Sequence, residues 1–233
     1  MTDPAPQARL LLRSQRDPAS DATSSRPAYD PVQIGWLDAA LPDDLDPGTA
    51  RPRDPLAPLD GDDPLARAGL ALHPWRLEDQ PAFRALLDDA ALWTHLPEPY
   101  PDPLDDPMAR DLIIASNGLA HHAVRALWRG EAPVGQLRLE YRAQAFEAEI
   151  SYWLGRAHWG RGLGGQLVRG AVLRAFGNDL SLLRLTAKVH PDNPASRRVL
   201  EGAGFSPIAA PVDGPHAGWL WFALRRQDRH ICG

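Results

Sequence analysis

The sequence predicts an α+β domain in which helices flank a mixed, mostly antiparallel central sheet. Three observations point there. Segments with strand-like alternation follow one another through residues 120–154, joined by short turns. A glycine-rich turn, "HWGRGLGG", then leads into a helical apolar stripe, and strand, helix and a last strand come after it. No internal repeat is visible, so a doubly wound parallel fold lacks its repeating unit.

"LALHPWRL" (70–77) reads as a first strand, and "EDQPAFRALLDDAALW" (78–93) as a helix with Phe83, Leu86, Leu87 and Ala90 on one side. "PEPYPDPLDDP" is a proline-rich loop, and "MARDLIIASNG" a short helix stopped by Asn117-Gly118. "AHHAVRALW" passes through the turn residues "RGEAP" into "VGQLRLEY", where Leu137, Leu139 and Tyr141 alternate with Gln136, Arg138 and Glu140. That alternation suits an antiparallel strand with one wet face. In "FEAEISYWL", Phe146, Ala148, Ile150, Tyr152 and Leu154 share one face, and Glu147, Glu149, Ser151 and Trp153 the other.

Beyond the glycine turn, Leu167, Val168, Ala171, Val172, Ala175 and Phe176 form a helical stripe that ends at Gly177. "LLRLTAKV" is a strand. Asn193 caps a helix with Pro194 at its first position, and Gly204 closes it. "AGWLWFALR" supplies the last strand.

Charge and proline divide the chain of 233 residues unevenly. Residues 1–66 hold eleven of the 24 prolines and twelve aspartates against six arginines, while the remainder is close to neutral. Such a stretch buries too little surface to offset the entropy of ordering it. Residues 1–66 are therefore expected to be a largely irregular extension, 67–226 the folded domain and 227–233 a tail. Within the extension, "VQIGWLDAAL" (32–41) has the apolar residues to dock as a short segment.

A near-neutral domain with an acidic arm lacks the basic face that nucleic-acid binding needs. No apolar run approaches the roughly 20 residues that cross a bilayer. Neither partner is expected. The N-terminus has no secretory pattern, so a cytoplasmic location is expected. Cys232 is the only cysteine, which excludes an internal disulfide and a cysteine-ligated zinc.

The glycine turn carries the chemistry. Gly160, Gly162 and Gly165 satisfy G-x-G-x-x-G between a strand and a helix. A dinucleotide fold would place that fingerprint on the first strand of a repeating parallel unit, with an acid about 20 residues on. Here antiparallel strands precede it, and the corresponding tip reads "TAKVHPDN", with a lysine and a histidine before any carboxylate. A Walker loop is excluded because no Gly-Lys-Ser/Thr is present. What remains is a set of backbone N–H groups turned inward at the start of a helix, with Arg156, Arg161 and Arg169 nearby. That arrangement suits a pyrophosphate. A glycine-rich loop that merely permits close packing is the alternative.

A second block, "VHPDNPASRRVLEGAGF", lies downstream. Together with "WGRGLG" (159–164) it resembles the GNAT superfamily of acetyl-CoA-dependent N-acetyltransferases. That family's signature is a Q/R-x-x-G-x-G/A loop after the fourth strand, then an N-x-x-S/A helix ending in G-F, which here runs from Asn193 to Phe205. Trp159 at the leading position and "ASRRVLEGAGF" look like the RimJ/RimL branch, which acetylates N-termini of ribosomal proteins. The resemblance covers roughly residues 68–226. It implies a GNAT fold with splayed fourth and fifth strands, acetyl-CoA as co-substrate, no metal, and an amine acceptor. A two-fold homodimer is common in such folds.

Carried over residue by residue, the resemblance implies that backbone groups of Tyr152, Trp153 and Leu154 pair with the pantetheine arm. The loop residues Trp159, Gly160, Arg161, Gly162, Leu163, Gly164 and Gly165 would cradle the pyrophosphate, through amides from Arg161 to Gly165. Asn193 would contact the arm, and Ser196 would lie near the sulfur. The amine would attack the thioester directly and must be neutral to do so. Reaching that state at pH 7 costs about 1 kcal/mol for an α-amine and about 4–5 for a lysine. A base within reach lowers either cost.

Glu149 is the first choice for that base. Glu147 shares its face, and either also reads as a solvated strand glutamate. The tyrosine that many family members place seven residues after the motif asparagine is Leu200 here, which leaves Ser196 or water to assist the thiolate. His121 and His122 are expected on opposite strand faces, unable to chelate one metal. His190 precedes the motif helix and reads as structural or as site-lining. Trp93, Tyr100 and the "LPEPYP" loop read equally as an acceptor pocket or as aromatic packing. The expected activity is acetyl transfer to a primary amine, either a protein N-terminus or a small molecule. The alternatives are a non-catalytic acyl-CoA-binding module or transfer of a longer acyl group.

Overall fold

The computed structural model describes residues 54–118, 121–142, 146–210, 216 and 218–231. The segment 32–41 and Cys232 lie outside these residues. The elements are α1 (Pro64–Arg67), β1 (Leu70–His73), α2 (Gln80–Leu87), α3 (Ala90–Trp93), α4 (Asp106–Gly118), β2 (His122–Arg129), β3 (Ala132–Arg142) and β4 (Glu147–Leu154). They continue with α5 (Leu163–Asn178), β5 (Arg184–Val189), α6 (Pro194–Gly202), β6 (Ser206–Ile208) and β7 (Leu220–Arg225).

Seven strands form one sheet in the order β1-β2-β3-β4-β5-β7-β6. Every neighbouring pair is antiparallel except β4–β5, which is parallel. The parallel pair is short. Glu147–Glu149 face Arg184–Thr186, and pairing stops there although both strands run on. The far halves of β4 and β5 therefore present unpaired backbone to each other.

The register sorts side chains cleanly onto two faces. On one, Leu137, Leu139, Ala148, Ile150, Leu185, Ala187, Phe222 and Leu224 are buried in a single core with Leu167, Val168, Ala171 and Phe176 of α5 and Leu200 of α6. The apolar stripe read along 167–176 is thus the face that α5 buries. On the other face, Phe83 of α2 and Trp75 pack on Trp153 of β4, with ring centroids 5.9 and 6.4 Å away. The Trp75 indole donates to Gln136 Oε1 at 2.8 Å. Further along that face the row becomes charged: Arg138, Glu140, Arg142, Glu147, Glu149 and Lys188.

Some elements differ from the sequence reading. The helix expected over 78–93 is two helices parted at Asp88–Asp89. Asp88 accepts from the Tyr100 hydroxyl at 2.7 Å and from Leu104 N–H at 2.9 Å, while Asp89 caps α3 by accepting from Ala91 N–H. Each carboxylate thus serves backbone or side-chain donors better met outside a continuous helix. The first strand stops at His73, before Pro74, and the short strand β6 had no periodicity to announce it.

Residues 54–66, inside the stretch read as extension, lie against the core. Leu56 and Leu65 are fully buried. Leu65 packs where Gly170 of α5 has no side chain; a Cβ there would come within 2.4 Å of Leu65 Cγ. Arg174 reaches out of α5 to ion-pair with Asp63 at 2.8 Å and to donate to the Leu56 carbonyl at 2.9 Å. Burial alone would raise the Asp63 carboxyl. Hydrogen bonds from Leu59 N–H and Arg174, with the Arg174 charge, overcome that and hold it below its ordinary value. No helix among the described residues is long and apolar enough to cross a membrane.

Candidate active site

The glycine turn leaves β4 and enters α5 through two left-handed residues, Gly160 (φ +70°) and Gly162 (φ +75°). Side chains rarely adopt that conformation, and a Cβ at either position would meet nothing but open space. Backbone shape, not crowding, selects glycine there. Gly162 is the N-cap of α5 and supplies no capping side chain. The N–H groups of Leu163, Gly164 and Gly165 thus begin the helix without intrahelical partners. Gly164 answers a different demand: its Cβ would touch Val199 of α6 at 3.4 Å and Tyr152 at 3.5 Å.

This turn forms one wall of a cavity of about 570 Å³. Tyr152, Trp153 and Leu154 from the unpaired end of β4 line it, as do Trp159 through Gly165 and Asn193 and Ser196 of the α6 cap. All the residues expected to hold coenzyme A therefore come together. Three details narrow their roles. The Trp159 indole donates to the Leu154 carbonyl at 2.7 Å, so that carbonyl is already engaged. Asn193 Oδ1 accepts from Ser196 N–H at 2.9 Å, which makes Asn193 the α6 N-cap as well as a wall residue. Arg161 and Arg169 line the cavity, whereas Arg156 lies 3.8 Å from Asp89. Arg198 of α6, which sequence reasoning passed over, joins the same wall.

A smaller cavity of about 100 Å³ opens on the charged face of the sheet, where β4 and β5 part. His95, Leu96, Tyr152, Trp153, Asn193 and Ser196 line both cavities, so the two share a wall. There the Tyr152 hydroxyl donates to Ser196 Oγ at 3.2 Å. Burial pushes the Tyr152 phenol up, only partly offset by Ser196, so it keeps its proton. Leu200, at the position of the family's tyrosine, is buried in the core.

Glu149 faces the smaller cavity and is almost wholly buried. Lys188 Nζ lies 3.1 Å from Oε1 and Arg142 Nη2 lies 3.3 Å from Oε2, so each carboxylate oxygen has a cationic donor. Glu147, its alternative, ion-pairs with Arg184 and accepts from Thr186 Oγ1, and does not line either cavity. His190 does line the smaller cavity, with its ring 5.8 Å from His95 and 5.4 Å from Trp219. Trp93 and Tyr100 pack on each other at 5.9 Å and line neither cavity.

The histidine pair departs from expectation. β2 begins at His122, so His121 belongs to the preceding turn, and the two rings stand 4.1 Å apart rather than on opposite faces. With Glu140 they bring three ligand-type atoms within 4.8 Å of one another. Glu140, however, is committed to Arg138 at 3.2 Å. Burial would raise its carboxyl, but the His122 hydrogen bond and the charges of Arg138, His122 and Lys188 bring it down to about 2. A metal ion there would compete with Arg138 for the same carboxylate.

Residues 70–206 match the acetyltransferase (GNAT) domain family. The chain is 41% identical over 58 residues to an uncharacterized N-acetyltransferase p20 of Bacillus licheniformis, a match spanning 25% of this chain and 32% of that protein's length. Its fold is similar to that of Mycobacterium smegmatis RimJ in complex with CoA-disulfide (TM-score 0.57, 22% identity, 68% of this chain and 82% of that one). It is also similar to that of spermidine N-acetyltransferase from Vibrio cholerae in complex with CoA and spermine (TM-score 0.59, 15% identity, 70% and 99%). Fold likeness therefore extends over several branches and selects none.

Proposed function

The chain belongs to the GNAT acetyltransferase family, and from that premise we propose that it moves an acetyl group from acetyl-CoA to a primary amine by direct attack in a ternary complex. The shared wall carries this reading: a thioester lodged in the larger cavity meets an amine lodged in the smaller one across Tyr152, Ser196 and His95. The diphosphate takes the helix-start N–H groups with Arg161 and Arg169, a pairing that the partial charge of α5 favours. The arm follows the unpaired edge of β4.

The order of events follows from these positions. The amine, once neutral, attacks the thioester carbon. Its second proton passes to Glu149 through water, on a lone pair that Lys188 and Arg142 leave open. The C–S bond then breaks, and the sulfur takes its electron pair away as thiolate. A hydrogen bond from Tyr152, direct or through Ser196, stabilises that developing charge. Tyr152 thus supplies from β4 what Leu200 cannot supply from α6. A second reading gives the base role to His95. It lies in the shared wall, and its Nδ1 is buried without a hydrogen-bond partner among the described residues.

Within the family, the RimJ/RimL-like motifs "WGRGLG" and "ASRRVLEGAGF" support an acceptor that is a protein N-terminus or a small-molecule amine. The test is an acceptor screen with acetyl-CoA, read by mass spectrometry and by thiol release. Equal amounts of acetylated amine and free CoA are expected. CoA release without an acetylated amine would contradict the transfer.

A further inference from the structure

Resting on the acetyltransferase reading above, we infer that the acceptor carries a carboxylate beside its amine, and that Arg138 and Lys188 of the smaller cavity hold it. Besides His95 and His190, the ionisable lining of that cavity, among the described residues, comprises two basic side chains, Arg138 and Lys188, and one carboxylate, Glu149. Glu149 already has a cation on each oxygen. A polyamine or aminosugar needs carboxylates to receive its extra ammonium groups, and this wall offers none to spare.

What the wall has in surplus is donors. Arg138 sits on β3 opposite Ser151 and uses its guanidinium incompletely. Nε donates to Ser151 Oγ at 3.1 Å and Nη2 lies 3.2 Å from Glu140, while Nη1 is buried and has no hydrogen-bond partner among the described residues. Trp153 lines the same cavity, and its Nε1 is likewise a buried donor with no such partner. Both groups can only donate. The ligand they call for presents oxygen acceptors, and a carboxylate matches the planar fork of an arginine best. Lys188 lines the same cavity and adds its charge. Anchoring that carboxylate leaves the amine to point at the shared wall.

Two sources share this chemistry: a free amino acid, and a peptide whose first residue is aspartate or glutamate. The experiment measures kcat/KM with acetyl-CoA for amino acids against their amides, for Asp- and Glu-initiated dipeptides against Ala-initiated ones, and for a polyamine. CoA binding is followed separately by calorimetry. Carboxylate-bearing acceptors are expected to exceed their neutral counterparts by about 10- to 100-fold, the worth of one charge-assisted pair. Whichever pair shows the preference identifies the source. Arg138→Gln is expected to bring that ratio toward one, and Arg138→Lys to keep part of it; the wild-type comparison stands even if a variant fails to fold. If CoA binds but amides or the polyamine are acetylated as well as the acids, or no panel member is acetylated, the acceptor inference is overturned and CoA recognition survives. If CoA does not bind, the transferase reading falls, and this inference with it.

Discussion

The hydroxyls of Tyr152 and Ser196 meet at 3.2 Å in the wall that separates the two cavities, one brought by the unpaired end of β4 and the other by the first turn of α6. Tyr152→Phe removes the donor and keeps the ring that packs near Gly164. It is expected to lower kcat by about 10- to 100-fold with little change in KM for acetyl-CoA. The loss should shrink with a thioester whose thiol is a better leaving group. Because burial raises the Tyr152 phenol above its ordinary value of 10, its deprotonation should cause no fall in rate below about pH 10. Steady-state kinetics against pH checks both points.

Glu149 and His95 compete for one role and can be separated. Glu149→Gln is expected to reduce kcat by about 100-fold, with His95→Gln reducing it less. The reverse order would move the base to His95. Comparing an α-amine with a lysine-type amine strengthens the comparison, since the latter depends more on a base.

Asp63 and Arg174 form a buried pair between the segment 54–66 and α5. Removing one partner strands the other, so Asp63→Asn should destabilise the fold by about 3–5 kcal/mol in urea denaturation at pH 7. The folded Asp63 carboxyl lies below its unfolded value. Its contribution is therefore complete above the ordinary aspartate value near 4 and is lost as pH falls through the folded value. The wild-type protein should lose stability over that acid range, and Asp63→Asn should lose less.

Gly170→Ala tests the packing of the segment 54–66 sterically. The new Cβ would fall within 2.4 Å of buried Leu65 Cγ, a branch point that cannot swing aside alone. A loss of about 1–3 kcal/mol is expected. Gly170→Ala combined with Leu65→Ala should fall short of the sum of the single losses, because the clash disappears with the leucine.

Much of this architecture could be read from residue order because local signals agreed. The alternation in 134–154 places Gln136, Arg138, Glu149 and Ser151 on the polar face, as the register shows. The stripe from Leu167 to Phe176 and the Asn193-Pro194 cap announce α5 and α6. The missed features share a cause, which is long range. Asp88 breaks a helical pattern because Tyr100 and Leu104 come back to meet it. Leu56 and Leu65 sit in a proline- and aspartate-rich stretch, and Leu65 is accommodated by Gly170, more than a hundred residues away. His95 enters both cavity walls through the path of its loop, and Lys188, placed on the polar face by strand alternation, reaches a cavity only because β4 and β5 part; no periodicity encodes the loop path or the parting. Arg198 carried a usable signal: it lies two residues beyond Ser196, on the first turns of the motif helix.

The most direct test is a crystal structure of the protein grown with CoA. The diphosphate should lie within hydrogen-bond distance of the backbone N–H groups from Gly162 to Gly165, beside Arg161 and Arg169, with the sulfur near Ser196 and Tyr152. CoA bound at any other place, with the larger cavity left empty, would contradict the account.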